Sequence, residues 1–193
     1  MKRLLALLAS LALFASARAD VEVYKIDTVH SSIGYSLRHM LSNFTSSFTK
    51  LSGDLTLDRT DLEKSSVTAT IDVAAMTTDN EGRDKHIKSD AFFDTAKFPT
   101  ASFKSTSFKK TGENTFDITG DLTIKDVTKP VVLKATLLGF APGMRPGTFL
   151  TGWTATATIK KSEFGLAGPA MLATVLGDDV ALTINIEAGF KKG

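Results

Sequence analysis

Apolar and polar side chains alternate along most of this chain, the periodicity of strands with one dry face and one wet face. The cleanest run sets Phe116, Ile118, Gly120, Leu122 and Ile124 against Thr115, Asp117, Thr119, Asp121 and Thr123. Ile33, Tyr35 and Leu37 alternate with Ser32, Gly34, Ser36 and Arg38, as Val67, Ala69, Ile71 and Val73 do with Thr68, Thr70 and Asp72. Similar rows run from Leu51 to Leu57, Val131 to Leu137, Phe149 to Ile159 and Val180 to Ile186, while Val21 to Ile26 and Ala101 to Phe103 are shorter or less regular. The many Thr residues suit a pleated surface, where β-branched side chains pack well.

Turn chemistry separates the rows at Asp58 to Lys64, Lys110 to Asn114, Gly139 to Gly147 and Gly177 to Asp179, and connections this short join antiparallel neighbours. The one break in the pattern lies between Thr77 and Pro99. There, Asn80 to Phe93 predicts a short helix near residues 80–93, ended before Phe98-Pro99. Strands with one apolar face, and too few helices to cover an open sheet, predict an all-β fold in which the sheet closes on itself. A closed antiparallel β-barrel of about eight strands removes exposed edges and leaves an interior that is either filled by side chains or holds one small ligand. A two-sheet sandwich is the structural alternative.

Lys2 and Arg3, the apolar run from Leu4 to Phe14, and Ala17-Arg18-Ala19 have the layout of a secretory leader cleaved before Asp20. Its apolar stretch is well short of the roughly 20 residues needed to span hydrocarbon. Residues 20–193 are therefore expected to form a single exported domain that does not span a membrane. Losing the leader removes three of the 23 basic residues and none of the 21 acidic ones, turning a net charge of +2 into −1. No cationic excess remains for nucleic-acid phosphates, so nucleic acid is not an expected partner. With no Cys, disulfides, thiolate metal sites and Cys nucleophiles do not arise.

Small residues in the inward rows, namely Gly53, Ala69, Ala101, Gly120, Ala135, Ala155 and Ala157, leave volume in the lumen or else fit its taper between larger neighbours. Phe numbers 13 against two Tyr and one Trp, a lining without polar handles that favours an apolar guest. From the strands and their ends, Ile33, Tyr35, Leu37, Ile71, Met76, Phe103, Leu122 and Trp153 are candidate ligand contacts. Phe44, Phe48, Phe92 and Phe93 lie outside the cleanest strands and are candidates for a pocket mouth, where His39, Arg83, Asp84 and His86 would select a polar head group.

His30, His39 and His86 form no short-spaced pair, so no metal is expected. Ser31, His30 and Asp84 make a triad only on paper, without a Gly-x-Ser-x-Gly elbow. Neither a Gly-x-Gly-x-x-Gly fingerprint nor a P-loop is present, so no nucleotide cofactor is expected, and a binding protein is favoured over an enzyme. Lys129-Pro130 and Lys160-Lys161 are most simply solvated surface, although a cation near a barrel mouth could pair with a phosphate.

Tyr24-x-Ile26-Asp27-x-x-His30-Ser31, the isolated His39, Arg83-Asp84-x-His86-x-Lys88-x-x-x-Phe92-Phe93-Asp94, Phe98-Pro99 and Gly120 through Val131 together resemble the YceI-like proteins. The resemblance continues through Ser162-Glu163-Phe164-Gly165 and Asp178-Asp179-Val180. It implies a lipocalin-like barrel in the periplasm whose apolar pocket takes up a polyisoprenoid, a prenyl quinone or prenyl phosphate, as carrier, store or sink. A homodimer with a common cavity is also open. Asp126 stands where the family often has Gly, Lys161 where Arg is usual, and Met40-Leu41-Ser42-Asn43-Phe44 lacks the Gly that commonly follows the His. The alternatives are a hydrolase or isomerase acting on lipid in the same cavity, and a stress-related interaction protein that uses the pocket as a sensor.

Overall fold

A computed structural model describes residues 21–192; the expected leader, residues 1–19, lies outside them. The strands are β1 (Val21–Ile26), β2 (Ser32–His39), β3 (Ser42–Phe48), β4 (Leu51–Asp58), β5 (Ser66–Asp72), β6 (Thr100–Lys110), β7 (Thr115–Ile124), β8 (Val127–Pro142), β9 (Thr148–Lys160) and β10 (Leu176–Lys191). One short helix, α1 (Glu81–Lys88), lies between β5 and β6.

All pairings between strands are antiparallel. The sheet runs β1-β4-β5-β6-β7-β8-β9-β10 and closes where Lys25 and Ile26 of β1 meet Gly189 and Ala188 of β10. The result is an eight-stranded barrel rather than a sandwich. Closure depends on the length of β10. Its second half pairs with β1, while Val180 to Asn185 pair with β2, which in turn carries β3. β1 and β2 thus lie end to end along one partner, interrupted by the Asp27–Ser31 turn. Asp27 Oδ1 accepts the Val29 and His30 N–H groups at 2.7 and 3.2 Å, and the Ser31 hydroxyl both donates to and accepts from the Glu187 backbone at 3.1 Å.

Several boundaries differ from the sequence expectation. β3 has no clean alternation, because Ser46 occupies the position between Phe44 and Phe48, and its pairing with β2 decides its conformation. Gly177 to Asp179 form a bulge within β10, not a turn, since the register slips between Leu176 and Val180. The helix is shorter than 80–93. Asn80 caps it by accepting the Arg83 N–H at 2.9 Å, and Ser89 closes its far end. In β6 the register slips between Ser105 and Ser107, so Phe103 and Phe108 both point inward although five positions apart.

Outward rows are polar, as where Lys134 meets Asp117 at 2.8 Å across β7 and β8, the reverse of a lipid-facing barrel. Among the described residues no helix is long and apolar enough to cross a membrane. One end of the barrel is packed solid around Tyr24, Leu57 and Phe116, all at most 1% exposed. The Tyr24 ring lies 6.1 Å from Phe140 and 5.5 Å from Phe190.

Candidate functional site

Register carries the inward row from strand to strand. Phe116 faces Ala135, Ala135 faces Ala155, Ala155 faces Ile184, Ile184 faces Ile33, and Ile33 faces Phe48. On the other wall Ala69 faces Phe103, which faces Leu122. Where these rows hold Ala instead of a large side chain the lumen stays open, and a cavity of about 650 Å³ results. That volume falls inside the roughly 300–1,000 Å³ range of ligand pockets.

Trp153 and Phe108 form the floor. Their rings meet edge to face at 6.4 Å, and the Phe116 ring lies 5.6 Å from Trp153. The indole N–H is bound to the Thr151 hydroxyl at 3.0 Å, so the floor presents no free donor there. Above it the walls are aliphatic and aromatic, with Ile33, Leu37, Ile71, Leu122 and Phe103 lining the cavity as the alternation predicts. Small residues contribute unevenly. Ala69, Ala101, Ala135 and Ala155 line the cavity, whereas Gly120 does not open it, because the Phe103 ring lies where a Cβ would stand. Gly53 has φ +148° and its backbone lies against Thr68, so it too opens no volume. Ala157 is not among the lining residues.

At the other end, α1 and the β2–β3 hairpin surround the mouth. Tyr35 packs at 6.1 Å from Phe44 and 5.1 Å from Phe48, and Phe48 meets Phe93 edge to face at 6.2 Å. Phe92 packs against His86 at 5.2 Å. All of these, with His39, line the cavity. Burial pushes the Tyr35 phenol above its ordinary range. Its hydroxyl is buried and has no hydrogen-bond partner; the nearby Ser46 hydroxyl donates to the Thr77 carbonyl at 2.9 Å.

The polar candidates divide. Asp84 does not line the cavity. Its carboxylate accepts from the Thr78 hydroxyl, from Thr77 Oγ1 at 2.8 Å and from the Thr78 N–H at 2.7 Å, and these bonds hold it below the usual carboxylate range. Arg83 lines the cavity and is held in place by its neighbours. Its Nε and Nη2 donate to Thr78 at 2.8 and 2.6 Å, and its guanidinium sits 4.5 Å over the Phe44 ring. Together these two side chains tie α1 to the segment before it. Met76 is buried, at 3% exposed, without lining the cavity.

Lys161 corrects the expectation of a solvated pair. Lys160 is exposed and meets Asp179 at 2.7 Å, but Lys161 is 8% exposed and lines the cavity. Ser42, Asn43 and Thr154 also line it without having been singled out. The signal for Lys161 was its place two positions after Ile159, the next step of the inward row, at the start of the 3-10 turn Lys161–Phe164.

Outside the barrel, Asp27, His30 and Glu187 form a cluster whose ligand atoms lie within 4.8 Å of one another. His30 Nδ1 is 3.0 Å from Asp27 and 3.8 Å from Glu187, and the Asp27 bond raises the imidazole pKa. The paper triad is not assembled: His30 bonds to Asp27, Ser31 to Glu187 and Asp84 to Thr77 and Thr78.

A family model described as a YceI-like domain matches residues 24–188. A protein of Pseudomonas syringae pv. tomato described as a UPF0312 protein is 37% identical over 183 residues, 93% of this chain and 94% of that one. Among solved structures, BcnA of Burkholderia cenocepacia superposes with TM-score 0.74 at 22% identity, covering 84% of this chain and 99% of that one. A polyisoprenoid binding domain from Saccharophagus degradans, implicated in plant cell wall breakdown, superposes with TM-score 0.65 at 16% identity, covering 88% and 98%. At these identities the two structures establish a shared fold.

Proposed function

This chain belongs to the YceI-like family, and on that premise we propose that its cavity holds a long apolar isoprenoid lipid, of prenyl quinone or prenyl phosphate type. The protein acts by binding, as a carrier, store or sink in the periplasm, after export by a leader ending at Ala19. A lipid-binding role is supported by the fold shared with a domain described as polyisoprenoid-binding. The single observation that carries the reading is the open, largely aliphatic and aromatic cavity above a sealed floor. Burying one methylene contributes about 0.8 kcal/mol, so ten carbons of a prenyl chain offer roughly 8 kcal/mol before association and ordering costs.

Extraction of the protein purified from its exported form, followed by lipid mass spectrometry, is expected to recover an isoprenoid, and N-terminal sequencing to begin at Asp20. Repeated recovery of an empty barrel that also refuses added prenyl quinones would overturn the reading.

A further inference from the structure

Two basic side chains line the cavity, Arg83 and Lys161, and they differ in burial. Arg83 is exposed, its guanidinium oriented by two bonds to Thr78 and stacked over the Phe44 ring. Lys161 is buried, and its Nζ donates to the Ala167 carbonyl at 3.2 Å. Among the described residues no carboxylate lies within 4.0 Å of that nitrogen. Asp178 feels its charge but is committed to the Ser162 N–H and hydroxyl at 2.9 and 2.7 Å.

An ammonium carries three donors, and one backbone carbonyl occupies one of them. A buried cation without a counter-charge is costly, and an anionic oxygen placed against it relieves that cost through charge-assisted hydrogen bonds. We propose that Lys161 is the head-group anchor of the cavity, and that the preferred guest carries an anionic oxygen, of a phosphate or a carboxylate, at one end of its apolar chain. This rests on the lipid-binding reading and narrows it from any apolar chain to one with an acidic head.

The test compares three probes of matched chain length: a prenyl monophosphate, a long-chain carboxylate and a prenol. Binding is read by the fluorescence of Trp153, the single Trp of the chain, on the cavity floor. The parent protein is expected to bind the phosphate or the carboxylate at least about tenfold tighter than the alcohol; which acid shows the preference identifies the head group. Lys161→Met is expected to bring that ratio down to about twofold or less, and Lys161→Arg to retain it. A parent that binds all three probes equally overturns the anchor whatever the variants do, as does Lys161→Met with the parent's ratio. A parent that binds none of them overturns the lipid-binding reading, and the anchor with it.

Discussion

The chain's two tyrosines sit in opposite regions of one barrel and are treated differently there. Tyr24, in the packed end, is fully buried, and its phenol donates to Glu22 at 2.7 Å while accepting from Arg59 at 3.4 Å. Burial, reinforced by the Glu22 carboxylate, pushes it up to about 12. Tyr35, in the hollow end, packs its ring at a tilt against Phe44 and Phe48 and leaves its hydroxyl without a partner. At the packed end the protein satisfies its own polar and apolar groups. At the hollow end it leaves both kinds unsatisfied, which is the condition for a guest to gain by entering.

The contrast breaks most visibly on large aromatic truncations. Phe116→Ala is expected to cost about 3–5 kcal/mol, because its site is closed on all sides. Phe93→Ala, beside a void that already exists, should cost about 1 kcal/mol or less while weakening lipid uptake. Urea denaturation of both variants checks this, and equal costs would mean the two ends are packed alike.

Filling the lumen sharpens the same comparison. Ala188→Leu adds volume where the residue is fully buried and is expected to cost about 1–3 kcal/mol. Ala155→Leu projects into the cavity and should leave the thermal midpoint unchanged or higher while reducing the amount of lipid retained. A large loss of stability from Ala155→Leu would mean that the space is not available to a guest.

The smallest effects are those of the hydroxyls. Tyr24→Phe is expected to cost about 1 kcal/mol near neutral pH and Tyr35→Phe nothing, or to stabilise slightly, because only the first removes a made hydrogen bond. Since the Tyr24 pKa is raised on folding, the stability it contributes is full below pH 10 and is lost as pH climbs toward about 12. The alkaline loss should therefore shrink in Tyr24→Phe and largely persist in Tyr35→Phe. Each variant leaves one tyrosine, so tyrosinate absorbance follows the remaining phenol directly.

Much of the barrel was legible because alternation states which face of a strand is dry, and a sheet with one dry face and no helices to cover it must curl. Ile33, Leu37, Ile71, Leu122 and Trp153 reached the lining by that rule alone. Phe108 escaped it because the β6 bulge reverses the phase, and β3 because its pairing with β2, not its own composition, makes it a strand. The motif segments around Asp27, Asp84 and Asp178 suggested chemistry, yet their carboxylates close turns and tie segments together.

Composition and periodicity by themselves determined a strand-rich chain with one apolar face, because side-chain direction along a strand follows from local backbone geometry. Which polar groups remain free inside was decided only by the tertiary structure. Hydrogen bonds to Thr77 and Thr78, five to seven residues away, fix Arg83 and Asp84, while the packing of the barrel buries Lys161 and the Tyr35 hydroxyl with capacity to spare. A pattern of nearest neighbours carries no record of that distribution.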